Sequence, residues 1–353
     1  MFLDRLFLSE FDDDQIWSAF HRLRGYAAPP FDASEGHAHV ADGLRLLAYE
    51  DWAALEELYG SQTADQRHHW LDGMGALHPM DKALPKVPDT AFGYAIAGGV
   101  LVGKAWRARG FGSTHLITDE RAAAYTRILE DARWALGRAE RKDGLDVVIT
   151  SYQIRCGLGL GMDRDTIYAF EDRLLAAREP SLLADNTMLQ CYARKWYGSH
   201  DAMWDWAQGR CNEESARNPS WLALLARAEI EHWMYECHLS PDEAARDTYL
   251  ATTRTSAFRD QSLDLQSRFL DSLARHRDPS DTAQLHYAHN AFGTYFHLFG
   301  PKEGLAPHLE AIGSTPALIP WIHTGIEDDS LAFLNSIRRK AGLKPFLEKI
   351  SDG

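Results

Sequence analysis

The sequence predicts an all-α protein made of TPR-like helical hairpins stacked as an α-solenoid. Three observations predict it. Apolar residues recur at helical spacing through most of the 353 residues. Helix-length segments alternate with short turns marked by Gly, Pro or a Ser/Thr/Asp cap. Three stretches, opening near Ala91, Pro219 and Ala283, share one outline of apolar helix, turn and second helix. Such pairs cannot bury their apolar faces alone, so neighbours stack into one core. The expected boundaries are an N-terminal helical extension and loop over 1–40, a helical-repeat domain over 41–325, and a C-terminal helix and tail over 326–353.

Taken in order, residues 1–28 place Phe7, Phe11, Ile16, Trp17 and Phe20 on a helical period and predict one or two helices. Pro29–Pro30 end that pattern and open a loop through His39. Residues 41–60 read as helix, turn, helix, with Leu44, Leu47, Leu55 and Leu58 as the stripe and Gly60 as the stop. A Pro-rich loop over 79–89 precedes the first repeat. Its apolar helix runs through Trp106, and Thr118-Asp-Glu opens the next. Asp146–Ile149 is β-branched enough to read as a strand, but nothing nearby would pair with it. Helices are expected near 145–156, 164–178, 182–194 and 199–213. In the last of these, Gly198 supplies the turn, Ser199 the N-cap and Asp201 a first-turn carboxylate. Pro241 suits a first helical position, and Gly300 stops the third repeat's apolar helix.

Composition narrows the function classes. Hydrophobic residues make up 45% and charged residues 25%, with a net charge of −14. Residues 1–90 hold 16 Asp/Glu against 7 Lys/Arg. Phosphate backbones need clustered Lys and Arg, so no nucleic-acid partner is expected. An acidic surface suits a basic protein partner. Asp4 and Arg5 break the apolar start of the chain, and no run approaches the ~18 apolar residues of a membrane span. No membrane partner and a cytoplasmic location are therefore expected. Cys156, Cys191, Cys211 and Cys237 form no CxxC pair and read as free thiols.

At Ala105–Gly110 (AWRARG), Gly157–Arg164 (GLGLGMDR), Lys195–His200 (KWYGSH) and Asn290–Trp321, the chain resembles a bacterial family, the domain of unknown function 4034. The likeness spans about residues 40–321. Glu236-Cys237-His238 departs from it, standing where an Arg-Gly ending would be expected. The resemblance implies an α-helical repeat protein, with a loose association with bacterial effector loci. It implies no activity, cofactor or catalytic residue.

Chemistry-bearing motifs are sparse. Gly157-Leu-Gly-Leu-Gly161 has Met162 at the third position of a dinucleotide fingerprint and no GK[ST], so it reads as a helix C-terminus and turn. Glu229-x-x-His232 puts a carboxylate and an imidazole on one helix face, and His286-x-x-His289 does the same for two imidazoles. Di-iron bundles need a second ExxH, which the chain lacks. His37-Ala-His39 and His68-His69 lie in or beside loops; HxH is a zinc spacing in some hydrolases, but no downstream Asp/His signature matches it. No GxSxG elbow occurs. No cofactor, catalytic residue or metal site is assigned.

The expected function is a non-enzymatic protein-binding solenoid, specifically an immunity or chaperone-like protein holding a basic bacterial effector. Trp196, Tyr197, His200, Trp204 and Trp321 are the expected contact residues, because aromatic side chains dominate binding hot spots. One alternative is a metal-dependent helical enzyme using Glu229, His232, His286 and His289. Another is a structural solenoid within a larger assembly, its oligomeric state open.

Overall fold

The computed structural model describes residues 26–27, 32, 34–76, 84–110, 117–177, 179–276, 278, 281–324 and 331–349. The helices expected before Tyr26 lie outside these residues. Apart from a two-residue antiparallel pairing of Tyr26–Ala27 with Glu348–Lys349, the regular structure among the described residues is helical. The helices are α1 (Ala38–Ala48), α2 (Trp52–Gly60), α3 (Ala64–Ala76), α4 (Ala91–Arg109), α5 (Asp119–Asp143), α6 (Val147–Leu160), α7 (Arg164–Leu175), α8 (Leu182–Tyr192) and α9 (His200–Glu214). They continue with α10 (Ala223–Met234), α11 (Glu243–Thr253), α12 (Ser256–Arg275), α13 (Thr282–Leu298), α14 (Lys302–Ile312), a short segment Leu318–Trp321, and α15 (Ala332–Lys340). No described helix is long and apolar enough to cross a membrane.

Local chemistry explains the starts and stops. Thr118, Ser199 and Asp242 each accept a backbone N–H from the first turn that follows. Thr63 and Gln66 form a reciprocal capping box at the start of α3. Asp146 caps α6, so the stretch that resembled a strand is the first turn of a helix. Gly161 ends α6 in the left-handed region at φ +65 and takes the C-cap position expected of the glycine-rich turn. Gly198 is needed for a different reason than backbone freedom. A Cβ there would lie 2.0 Å from the carbonyl oxygen of Tyr192. In the same way Gly98 of α4 lets α5 come close, since its Cβ would meet Leu136 at 2.5 Å.

Successive helices pack on one another, with α4 on α5, α8 on α9 and α13 on α14. An inner row is built from α3, α6, α8, α10 and α13. Each packs on the next, and α13 returns to pack on α3. In an open stack each unit touches only its neighbours. Here the early helix α3 and the late helix α13 share a seam.

The inner helices are buried on nearly every face. Every residue of α10 from Ala223 to Glu231 is buried, and so is α6 from Val147 to Leu158 except Arg155. Helices covered all round have little amphipathic contrast. Their polar side chains must find partners inside. Asp65 of α3 reaches α8 and accepts from Ser181 Oγ (2.6 Å), Leu182 N (3.0 Å) and Leu183 N (2.8 Å). Asp185 accepts from Trp221 Nε1 at 2.7 Å and Arg210 Nε at 2.9 Å. Glu231 pairs with Lys195 Nζ at 2.6 Å and with Arg227 on its own helix.

The Asp65 cap is open to test. Asp65→Ala strands three buried donors and is expected to lower unfolding free energy by roughly 2–4 kcal/mol. Asp65→Asn keeps an acceptor oxygen, removes a buried charge and should lose clearly less. Urea denaturation of the two variants reads the difference. Equal losses would mean that the carboxylate's charge, not its capping bonds, matters at this position.

Candidate metal centre

The α3–α13 seam is where imidazoles gather. His69 comes from α3 and His286 from α13, while Glu35, His37 and His39 come from the turn and first residues of α1. Asp32 builds that turn by accepting from Ser34 N at 2.9 Å and Gly36 N at 3.2 Å. It holds Glu35 at φ +50, a conformation that costs a non-glycine residue about 1 kcal/mol or more. This strain aims the Glu35 carboxylate at the seam. Glu35 Oε2 lies 2.8 Å from His69 Nε2 and 3.5 Å from His286 Nδ1, and Glu35 Oε1 accepts from Leu318 N.

One ligand nitrogen from each of His37, His69 and His286 falls within 4.8 Å of the others. The His37 ring sits 4.2 Å from that of His69 and 4.8 Å from that of His286, centroid to centroid. His39 stands behind, 5.2 Å from His37. Zinc holds its nitrogens at about 2.0–2.1 Å, which puts tetrahedral ligands roughly 3.4 Å apart.

Tautomers support the same geometry. His286 Nε2 lies 2.7 Å from the carbonyl oxygen of Thr315, so its N–H points there and Nδ1 keeps a lone pair toward Glu35. The Thr315 loop is itself fixed by Asn290, which accepts from Ala317 N (2.9 Å) and Trp321 Nε1 (2.8 Å). His37 Nε2 is shielded from solvent and has no hydrogen-bond partner among the described residues; the same holds for His39 Nε2 and His69 Nδ1. Burial, then His69, His286 and His39, push the His37 pKa down to about 2. Burial and His69 take His39 down to about 4, and burial holds His286 below its usual value. Burial also opposes charge on His69, but the Glu35 carboxylate outweighs it and raises its pKa. His37, His39 and His286 are thereby held as neutral imidazoles, the form a borderline transition metal takes as a ligand, while at His69 an ion would have to displace the proton that Glu35 favours.

A second grouping lies on α10 and the π-helical turn that follows it over Tyr235–Leu239. There His200, His232 and Glu236 bring ligand atoms within 4.8 Å of one another. The residues of the metal alternative are thereby separated. His232 joins this second group, and His286 joins the first. Glu229 accepts from Tyr249 OH at 2.6 Å. His289 turns to His308, Nδ1 to Nδ1 at 3.1 Å. The four do not form one site, because α10 and α13 present them toward different neighbours.

The five expected contact residues also disperse. Trp321 is fully buried with its N–H on Asn290, so it is a core residue with no surface for a partner. Tyr197 OH donates to Met162 O at 2.6 Å, and Trp196 meets Trp106 edge-on, which makes both packing residues between helices. His200 belongs to the second grouping. Trp204 lines an open groove of about 460 Å³ together with Leu225, Glu229, Phe258, Asp260 and Asp264.

One arrangement imitates a hydrolase triad. Ser151 Oγ is 3.0 Å from His68 Nε2, and His68 Nδ1 is 3.4 Å from Asp72 Oδ2. Ser151 is fully buried and gives its proton to Thr187 Oγ1, while Asp72 also accepts from Tyr152 and Arg155. No substrate carbonyl reaches such a serine, and the network ties α3, α6 and α8 together. The thiols are likewise quiet, since burial pushes Cys156 and Cys211 up to about 12.

Comparison with family models, curated proteins and solved structures finds no match for this chain.

The His289–His308 pair gives a pH test. Burial first, then the neighbouring imidazole, lowers His308 to about 3, with Gln266 Nε2 donating to its Nε2. A folded-state pKa below the unfolded value of about 6.5 favours the neutral form. That contribution is present above pH 6.5 and is lost as pH falls toward 3. His308→Phe removes the titration. Subtracting the variant's stability curve from that of the wild type should leave a slope of about 1.4 kcal/mol per pH unit between pH 6 and 4. Parallel curves would mean that His308 is not held neutral.

Proposed function

We propose that this protein is a metal-binding helical protein that holds one zinc-class ion through His37, His69 and His286, with Glu35 as the fourth ligand. Four protein ligands close a tetrahedral site, which is the arrangement of structural rather than catalytic zinc. The ion's task in this reading is to fasten the N-terminal turn across the α3–α13 seam. The observation that carries the reading is the unpartnered His37 Nε2, shielded from solvent, in a group where His37, His69 and His286 each bring a nitrogen within 4.8 Å of the others and the Glu35 carboxylate lies against His69 and His286. Buried polar atoms ordinarily have partners, and the His286–Thr315 bond orients a ligand as metal-site histidines are oriented.

The test is zinc titration of the tag-free, metal-stripped full chain, followed by thermal melting. Binding of zinc to the folded state alone stabilises it by about 2.7 kcal/mol at free zinc 100 times Kd. A rise in Tm of a few degrees is expected, smaller in His37→Asn and His286→Asn. Melting unaffected by zinc, with the same uptake in both variants, overturns the reading.

A second reading keeps the helical-hairpin repeats as the scaffold of a protein-binding groove, curved until α13 meets α3. Trp204, Phe258 and Tyr295 give that groove an apolar wall, and Asp260 and Asp264 give it negative charge. A basic segment of an effector-like protein suits it. Native capture of one basic partner that weakens with salt, and is lost in Asp260→Asn/Asp264→Asn, supports this reading. Capture unchanged in that variant removes it.

A further inference from the structure

We propose a second divalent-metal site, formed by His200, His232 and Glu236, whose three protein ligands leave one coordination position open. It shares no residue with the site at the seam and stands or falls separately from it. His232 ends α10's last full turn, and Glu236 follows in the π-helical turn. Widened turns of this type are frequently found at functional sites. Here the π turn swings a buried carboxylate back beside His232. His200 is the first residue of α9, placed by the Ser199 cap and by the close approach of Gly198 to Tyr192.

Two polar atoms of this group are left without partners among the described residues. Glu236 Oε1 faces His200 Nε2 at 2.8 Å and Arg194 Nη1 at 3.5 Å. Glu236 Oε2 is shielded from solvent without a partner among the described residues, and so is His200 Nδ1. The His200 and His232 rings lie 3.8 Å apart, centroid to centroid. Among the described residues the cation paired with this carboxylate is Arg194, whose side chain is half exposed and also rests on the Tyr235 ring, so it can swing outward as an ion enters. Two imidazoles and one carboxylate suit Zn²⁺ and its neighbours in the first transition row. A three-ligand set is the form that keeps a position for water or substrate.

The surroundings say where that open position leads. Trp204 lies one turn beyond His200 on α9, and Glu229 one turn before His232 on α10. Both line the 460 Å³ groove. Tyr249 joins the two features, its hydroxyl on Glu229 at 2.6 Å and its ring 4.6 Å from that of His232. The groove is therefore the nearest described opening to the second site, separated from it by the Tyr249 ring.

The experiment counts ions. The tag-free full chain is stripped with chelator, dialysed, and titrated with ZnCl₂ by calorimetry, with circular dichroism to confirm that each variant is folded. Two equivalents are expected for the wild type, one for Glu236→Gln, one for His232→Asn and one for His37→Asn. Co²⁺ substitution adds a readout of coordination. The visible bands remaining in His37→Asn should shift on adding azide, because an open position accepts an external ligand. Wild-type binding of a single equivalent, lost in His37→Asn and kept in Glu236→Gln, overturns the second site and leaves the first. A single equivalent lost only in Glu236→Gln and His232→Asn does the reverse. Azide-insensitive bands overturn the open position.

Discussion

Burial of whole helices, not of one helical face, is the constraint on which this structure depends. Once α6, α8, α10 and α13 are covered on all sides, each polar group on them needs a partner from a neighbouring helix. Asp65 is the clearest case. Its carboxylate closes the N-terminus of α8 and so fixes α3 against the middle of the chain. With α3 held there, α13 has a place to return to, and the seam between them becomes the floor of the imidazole cluster. The same need for partners accounts for the Asp185–Trp221–Arg210 and Glu231–Lys195 groups.

Polar clusters in the interior fall into two kinds. In the Ser151–His68–Asp72 network the hydroxyls and the carboxylate are saturated by protein, and the network acts as glue. In the seam cluster the imidazoles carry lone pairs that meet no donor, while a single carboxylate sits between two of them. In the first network one imidazole nitrogen, His68 Nδ1, is left without a hydrogen bond among the described residues, whereas in the seam cluster three imidazole nitrogens are. The second group, at the π turn, has the same unspent capacity at Glu236 Oε2 and His200 Nδ1.

The helical class was legible because it rests on local signals. Caps at Thr118 and Ser199, the stop at Gly161 and the apolar periodicity each depend on a few adjacent residues. Asp146 belongs with them, since reading it as an N-cap turns the β-branched run after it into a helix start. The sites were not legible for the opposite reason. The HxH of residues 37–39 was visible, but its partners stand on α3 and α13, and nothing near it in the chain points to them. Glu35 is an ordinary loop acid until the turn imposed by Asp32 is known. Trp321 was read as a surface anchor because a lone Trp near a turn has no local mark of burial. Its burial comes from Asn290 on the preceding long helix.

The seam also has a consequence for biosynthesis. Glu35 and His37 are synthesised before His69, and His286 follows long after His69. Until α13 emerges, the first imidazoles have no third partner, and the N-terminal turn has no wall to close against. The cluster therefore cannot assemble before α13 is made, although Glu35 and His37 precede every described helix. A chain interrupted before α13 lacks this junction whatever helices it forms, so an intact cluster reports that α3 and α13 have met.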